Sequence, residues 1–221
     1  MVSGLAWLSE GLRQEILGDQ EEALAAFERA AESAPESDII QYFLGQEQFY
    51  SAQRAGGDEA QLVAAGDAFN EALRLNPDNA RAVIGLGSVR FVRGQRLLNE
   101  AEARGDFSEA ALAPIRQEAQ AALDAYTSIT LRGEQIDVYG VPVAGIARVG
   151  RAIALRLLAE AAFQGGNSAA AEGFIDQAIT TLEDDAAALD TPNDPRLPGQ
   201  AYQALGSVYE WKAFLLGERG A

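Results

Sequence analysis

Small and aromatic residues recur along this chain in a fixed order. Trp7, Gly11, Ala23, Phe27, Ala30 and Pro35 are echoed by Leu44-Gly45, Ala65, Phe69, Ala72 and Pro77. In the first copy, LAWLSEGLRQEIL from Leu5 and EEALAAFERAAES from Glu21 read as two short amphipathic helices. Ala23, Phe27 and Ala30 follow one another at helical spacing and therefore line one face. Gly18-Asp19 between the two runs is a turn signal, and Pro35 stops the second helix. Gly11 sits inside the first helix, where glycine costs roughly 1 kcal/mol relative to alanine. Close approach of the paired helix explains its presence. Such a hairpin cannot bury its apolar face alone, so recurring copies stack to form a continuous core. The expected fold class is all-α.

The combination of Trp7, Gly11, Ala23, Phe27, Ala30 and Pro35 resembles the tetratricopeptide repeat, a helix–turn–helix of about 34 residues. A third copy opens at Leu86-Gly87 and is answered distantly by Ala122, Tyr126 and Ile129. A fourth runs through Leu158-Ala159, Gly166-Asn167, Ala171, Ile175 and Ala178, with Ala159 in place of the glycine. Leu205-Gly206 and Tyr209 open a fifth. The resemblance implies a single solenoid domain over 1–221, an α–α superhelix of about four hairpins plus a terminal helix. Its repeats are 4–37, 38–79, 80–136 and 142–190, with a half repeat at 198–221. Phe27, Phe69, Tyr126 and Ile175 are expected in the core. Such local connections give low contact order.

The copies differ in length. The second needs about one more helical turn in each helix than the first, and the third about three more. The second and third hairpins are therefore expected to be extended. Pro114 falls within the returning helix of the third, where it cannot donate a backbone bond. A kink, or a helix restart with Pro114 in its first turn, is expected there. Leu131 to Pro142 has turn residues and no helical period, and reads as a loop. Glu183 to Gly199, rich in aspartate and proline, reads as an acidic surface loop. Near the end, Phe214, Leu215 and Leu216 cannot all face the previous repeat, so at least one is expected to be uncovered.

The resemblance also implies a concave groove lined by the first helix of each hairpin. Leu8, Leu12 and Glu15 fall in its slots, followed by Tyr42, Gln46, Phe49 and Tyr50. Arg81, Ile84, Ser88 and Phe91 come next, then Arg156, Glu160 and Phe163, then Gln203, Ser207, Glu210 and Trp211. Aromatic anchors with an arginine and a few amides suit a protein-binding patch. Tyr42, Gln46, Phe49, Tyr50, Arg81, Ser88, Phe91, Arg156, Glu160, Phe163, Glu210 and Trp211 are the candidate partner contacts. Any one of these rings is equally well explained as packing between repeats. Some members of the family hold a C-terminal carboxylate with lysine and asparagine. Lys212 is the only lysine here and no asparagine occupies these slots.

Composition narrows the chemistry. The chain has no cysteine and no histidine. Thiolate nucleophiles, the commonest general base and the commonest transition-metal ligand are thus absent. Arg151-Ala152 follows GIARVG where a phosphate loop needs Lys and Ser or Thr. Asp184 to Asp194 matches no EF-hand spacing, and Arg104-Gly105-Asp106 reads as a hairpin turn. No catalytic constellation, metal site or cofactor is expected. Against 17 basic residues stand 33 acidic ones, a net charge of −16, which disfavours nucleic acid and favours a basic or amphipathic ligand. No apolar run spans a bilayer. With no signal-peptide pattern at Met1, a cytoplasmic location is expected, unless a targeting segment was removed. The leading expectation is a protein–protein interaction scaffold that is not an enzyme, binding a peptide or helix in the groove. The alternative is a structural module that self-assembles into a homo-oligomer through the long third hairpin and the C-terminal helix.

Overall fold

The computed structural model describes residues 3–131, 143–183 and 196–220. Apart from Leu131, the first expected loop lies outside the described residues, as does most of the acidic one. The architecture is all-α. Among the described residues there are nine helices and no strand: α1 Gly4–Leu17, α2 Gln20–Ser33, α3 Asp38–Arg54, α4 Glu59–Leu75, α5 Ala80–Arg104, α6 Glu109–Thr130, α7 Val143–Gln164, α8 Ser168–Glu183 and α9 Arg196–Gly220. The chain divides into two compact units, Met1–Val89 and Arg90–Ala221.

Capping chemistry sets where helices start. Ser3, Asp19, Ser37, Asp58, Asn79, Ser108 and Asn167 each accept a hydrogen bond from the backbone N–H three residues on. These are the side chains that satisfy a helix's unpaired amides. Glycine sets where the first helix of a hairpin stops. Gly18, Gly56, Gly105 and Gly166 adopt φ of 78°, 74°, 63° and 77°, a left-handed conformation that glycine enters without steric cost. At the first turn, Gly18 N–H donates to Glu15 C=O at 3.1 Å and Asp19 N–H to Gln14 C=O at 3.0 Å. The same pair of bonds closes the turns at Gly105-Asp106 and Gly166-Asn167, a Schellman arrangement.

In the first unit, α1 and α2 run antiparallel, since Gly4 meets Ala34 while Gly11 meets Phe27. A Cβ on Gly11 would lie 2.5 Å from the Phe27 ring, and one on Gly45 would lie 2.9 Å from the Phe69 ring. Phe27 and Phe69 are buried, as expected. In the third copy Gly85 makes a close approach, where a Cβ would lie 2.4 Å from Phe69, and Gly87 is buried. At the α4–α5 turn, Asn76 and Asn79 side-chain amides donate to Asp38 at 2.8 and 3.1 Å, tying the turn to the start of α3.

In the second unit, Leu98 and Ala101 of α5 pack with Leu112, Ile115 and Ala119 of α6 and with Leu157, Leu158 and Ala161 of α7. A second cluster joins α7 and α8 to Ala204, Val208 and Leu215 of α9. Tyr126 and Ile175 are buried, as expected. Gly150, not singled out by the repeat, lets the Tyr126 ring approach to 2.5 Å of its Cβ position.

Helix lengths match the extended hairpins: 14 and 14 residues in α1 and α2, 17 and 17 in α3 and α4, 25 and 22 in α5 and α6. Three expectations need correction. Pro114 lies inside α6, which starts at Glu109 on its Ser108 cap. The helix therefore does not restart at the proline. Residues from Arg196 to Gly199, expected in a loop, belong to α9. Gly206, expected in a close-packed slot, has no atom within 4 Å of its Cβ position. The motif recurs there, but among the described residues no helix covers Gly206.

Candidate functional site

The expected contact residues fall into two groups, one in each unit. In the first unit, α3 carries Tyr42, Gln46, Phe49 and Tyr50, and α5 carries Arg81 and Ser88. Tyr42 is half-buried, edge-on to Phe43 at 5.1 Å and tilted against Phe69 at 6.1 Å. The Arg81 guanidinium covers its ring at 5.6 Å and donates to its hydroxyl at 3.4 Å. Gln46 donates to the Tyr50 hydroxyl at 3.0 Å, and the Phe49 and Tyr50 rings lie 6.2 Å apart. Those three leave a more open face, with Tyr50 37% exposed. The Ser88 hydroxyl donates to Ile84 C=O in its own helix at 3.0 Å. Leu8 and Leu12 pack onto the cluster of Ala23, Phe27 and Phe43.

Glu47, which the spacing did not single out, is only 2% exposed. It accepts a hydrogen bond from Arg54 at 2.7 Å. Burial raises the pKa of the Glu15 carboxyl above its ordinary value, and the charge of Glu47 adds to the shift. An arginine two turns along the same helix was the signal for Glu47. It is weak, because an exposed pair has the same spacing.

In the second unit, α7 brings Arg156, Glu160 and Phe163 together with Trp211 of α9. Glu160 is 6% exposed. It accepts hydrogen bonds from the Arg156 guanidinium and from the Trp211 side chain. Even so, its pKa is raised. Burial is the largest cause, Arg156 opposes it, and the charge of Glu102 adds to it. The Trp211 ring belongs to a trio in edge-to-face contact: Phe163 to Trp211 at 6.0 Å, Phe163 to Phe214 at 5.1 Å and Trp211 to Phe214 at 5.4 Å. Such geometry suits the ring quadrupoles. Phe214, absent from the expected contacts, is 44% exposed. Its place three residues after Trp211 on one helix was the available signal. Glu210 is exposed. Phe91 instead packs against the cluster around Leu98 and Leu112.

A separate open cleft of about 530 Å³ in the second unit is lined by Thr130, Leu131, Arg148, Arg151, Asp176, Gln177, Thr180 and Thr181. None of the expected contacts lies in it. Its three threonine hydroxyls donate to carbonyls of their own helices, and Asp176 is bound by Lys212 at 2.8 Å. Among the described residues, no group of three or more acidic side chains could hold a metal ion, and no helix is long and apolar enough to cross a membrane. No protein-family model matches the chain, and no curated protein is similar to it.

Proposed function

We propose that this chain is a tetratricopeptide-type helical repeat that binds a basic, amphipathic segment of another protein and performs no catalysis. The contact is made in the second unit, at the Phe163, Trp211 and Phe214 rings and the Glu160 carboxyl that Trp211 bonds. One observation carries the reading: the buried Glu160 carboxyl is bonded by Trp211, a member of a trio of partly open aromatic rings. Burial outweighs what Arg156 and Trp211 supply to Glu160, so a further cation nearby would be stabilised. A lysine or arginine stem can lie along the rings while its head group meets the carboxylate. The net charge of −16 would steer such a segment toward the chain.

The test is capture from native lysate, followed by titration with the captured partner. Trp211 fluorescence serves as the readout in a Trp7→Phe background. Trp211→Phe, read by calorimetry, and Glu160→Gln should each weaken binding at least tenfold with circular dichroism unchanged. Association should slow as salt is added. Unchanged affinity in both variants would place the contact elsewhere.

A further inference from the structure

Acidic side chains outnumber basic ones 33 to 17 in this chain, so an arginine without a carboxylate does not lack one for want of supply. Arg151 of α7 is such a residue. Its Nε–H is buried with no hydrogen-bond partner, as are those of Arg81, Arg93 and Arg96. The other three are engaged through the rest of the guanidinium. Arg81 donates to the Tyr42 hydroxyl at 3.4 Å, Arg93 pairs with Glu118 at 3.2 Å and Arg96 with Glu100 at 2.5 Å. Among the described residues, Arg151 alone of the four makes no ion pair, hydrogen bond or ring contact. A buried charged donor without an acceptor is unfavourable and calls for a reason. Arg151 stands in the wall of the open cleft of about 530 Å³ formed by α7, α8 and the end of α6.

Charge in that cleft is one-sided. Arg148 lies one turn before Arg151 on the same face of α7 and also lines the cleft. It has an interaction of its own, so Arg151 is the uncommitted cation. Asp176 is the only acid among the described lining residues, and Lys212 already holds it at 2.8 Å. Thr130, Thr180 and Thr181 give their hydroxyl protons to carbonyls of their own helices at 2.9, 3.0 and 2.8 Å. Their oxygens keep lone pairs that can accept. The cleft thus offers guanidinium donors for an anionic group and hydroxyl acceptors for neutral donors. Its volume lies in the range of pockets for small organic molecules and is too large for a bare ion to fill.

We infer that this cleft binds a small organic oxyanion, a phosphate or carboxylate that also carries hydroxyl groups. Arg151 is the anchor. Its planar fork can take two oxygens of such a group at once, supplying the acceptors it lacks. Arg148 adds positive charge beside it, and the ligand's hydroxyls donate to the threonine oxygens. The net charge of −16 repels an anion at long range, so retention depends on these contacts. The site shares no residue with the Glu160 contact proposed above and takes the opposite charge.

Calorimetric titration of the whole chain, at constant ionic strength in chloride, tests this. Glycerol 3-phosphate and ribose 5-phosphate form one arm, malate and citrate the other, and the tighter arm names the oxyanion. Its members should bind at least about tenfold tighter than inorganic phosphate, glycerol or ribose. Arg151→Gln should weaken that binding about tenfold or more. Thr180→Glu, at an exposed position, puts a carboxylate into the cleft and should weaken it likewise, which keeps the test intact if Arg151→Gln loses helicity. Arg74→Gln, exposed in the first unit, and Glu160→Gln should change nothing, so this reading and the Glu160 contact fail separately. No binding in either arm, binding indifferent to Thr180→Glu, or inorganic phosphate held as tightly as every organic ligand (an adventitious ion only) would overturn the inference.

Discussion

At Gly11 a single missing Cβ decides the packing of a hairpin. The Phe27 ring occupies the space and sits in the core cluster with Ala23 and Phe43. Gly11→Ala should gain helix propensity and still lose stability, because overpacking costs about 1–3 kcal/mol. Gly206→Ala has the same propensity gain with open space around it, so it should stabilise by about 1 kcal/mol. Urea denaturation of both variants checks the contrast; shifts of the same sign would refute it. These two glycines share a motif, and the sequence does not distinguish them. A periodic pattern encodes which face of a helix is small, but the neighbour opposite comes from elsewhere in the chain. The same limit applies to Tyr42. Its slot fits a partner anchor and packing between repeats equally well, and its half-buried ring lies against Phe43, Phe69 and Arg81.

Among the elements, α6 carries the oddity. Pro114 lies in its second turn, where no backbone N–H is available for the carbonyl four residues back. The residue is exposed, so Pro114→Ala restores a bond without disturbing packing. It should stabilise the second unit by roughly 1–3 kcal/mol, read as a higher thermal midpoint. A lower midpoint would show that the proline shapes the helix to its neighbours. Helix number and hairpin lengths were legible because cap residues, left-handed glycines and the return of the core alanine are all local signals. The start of α9 was not, since Asp, Pro and Gly near Arg196 to Gly199 mimic a loop. Phe214 and Glu47 were missed for a different reason. Phe214 gains its surroundings from Phe163 of α7, a helix distant in sequence, and the Glu47–Arg54 pair has the spacing of an exposed one.

For the whole molecule, charge is the dominant variable. Burial raises Glu160 and Glu15, so the folded protein keeps their protons to a higher pH than the unfolded chain does. Stability should therefore increase as pH falls from neutral toward the ordinary carboxylate range. Partial neutralisation of 33 acids acts in the same direction. Below that range, exposed acids held down by hydrogen-bonding partners lose them. Glu10 is lowered to about 2 by Arg13 and Gln14, Glu71 is lowered by Arg74 and Asp106 by Ser108. Being exposed, they contribute little. Glu160→Gln should flatten the rise in thermal midpoint between about pH 7.5 and pH 5. An unchanged slope would show that burial of this carboxyl is not its source. Much of the packing within each unit joins neighbours in the chain: α1 with α2, α2 with α3, α3 with α4, α6 with α7, α7 with α8 and α8 with α9. Interfaces of this kind have a mechanical consequence. Tension applied between the two ends of a unit would not meet one interlocked core but would peel hairpins off in turn. The force trace would be a staircase of modest steps, and any hairpin still folded could template the return of the next once the load was released.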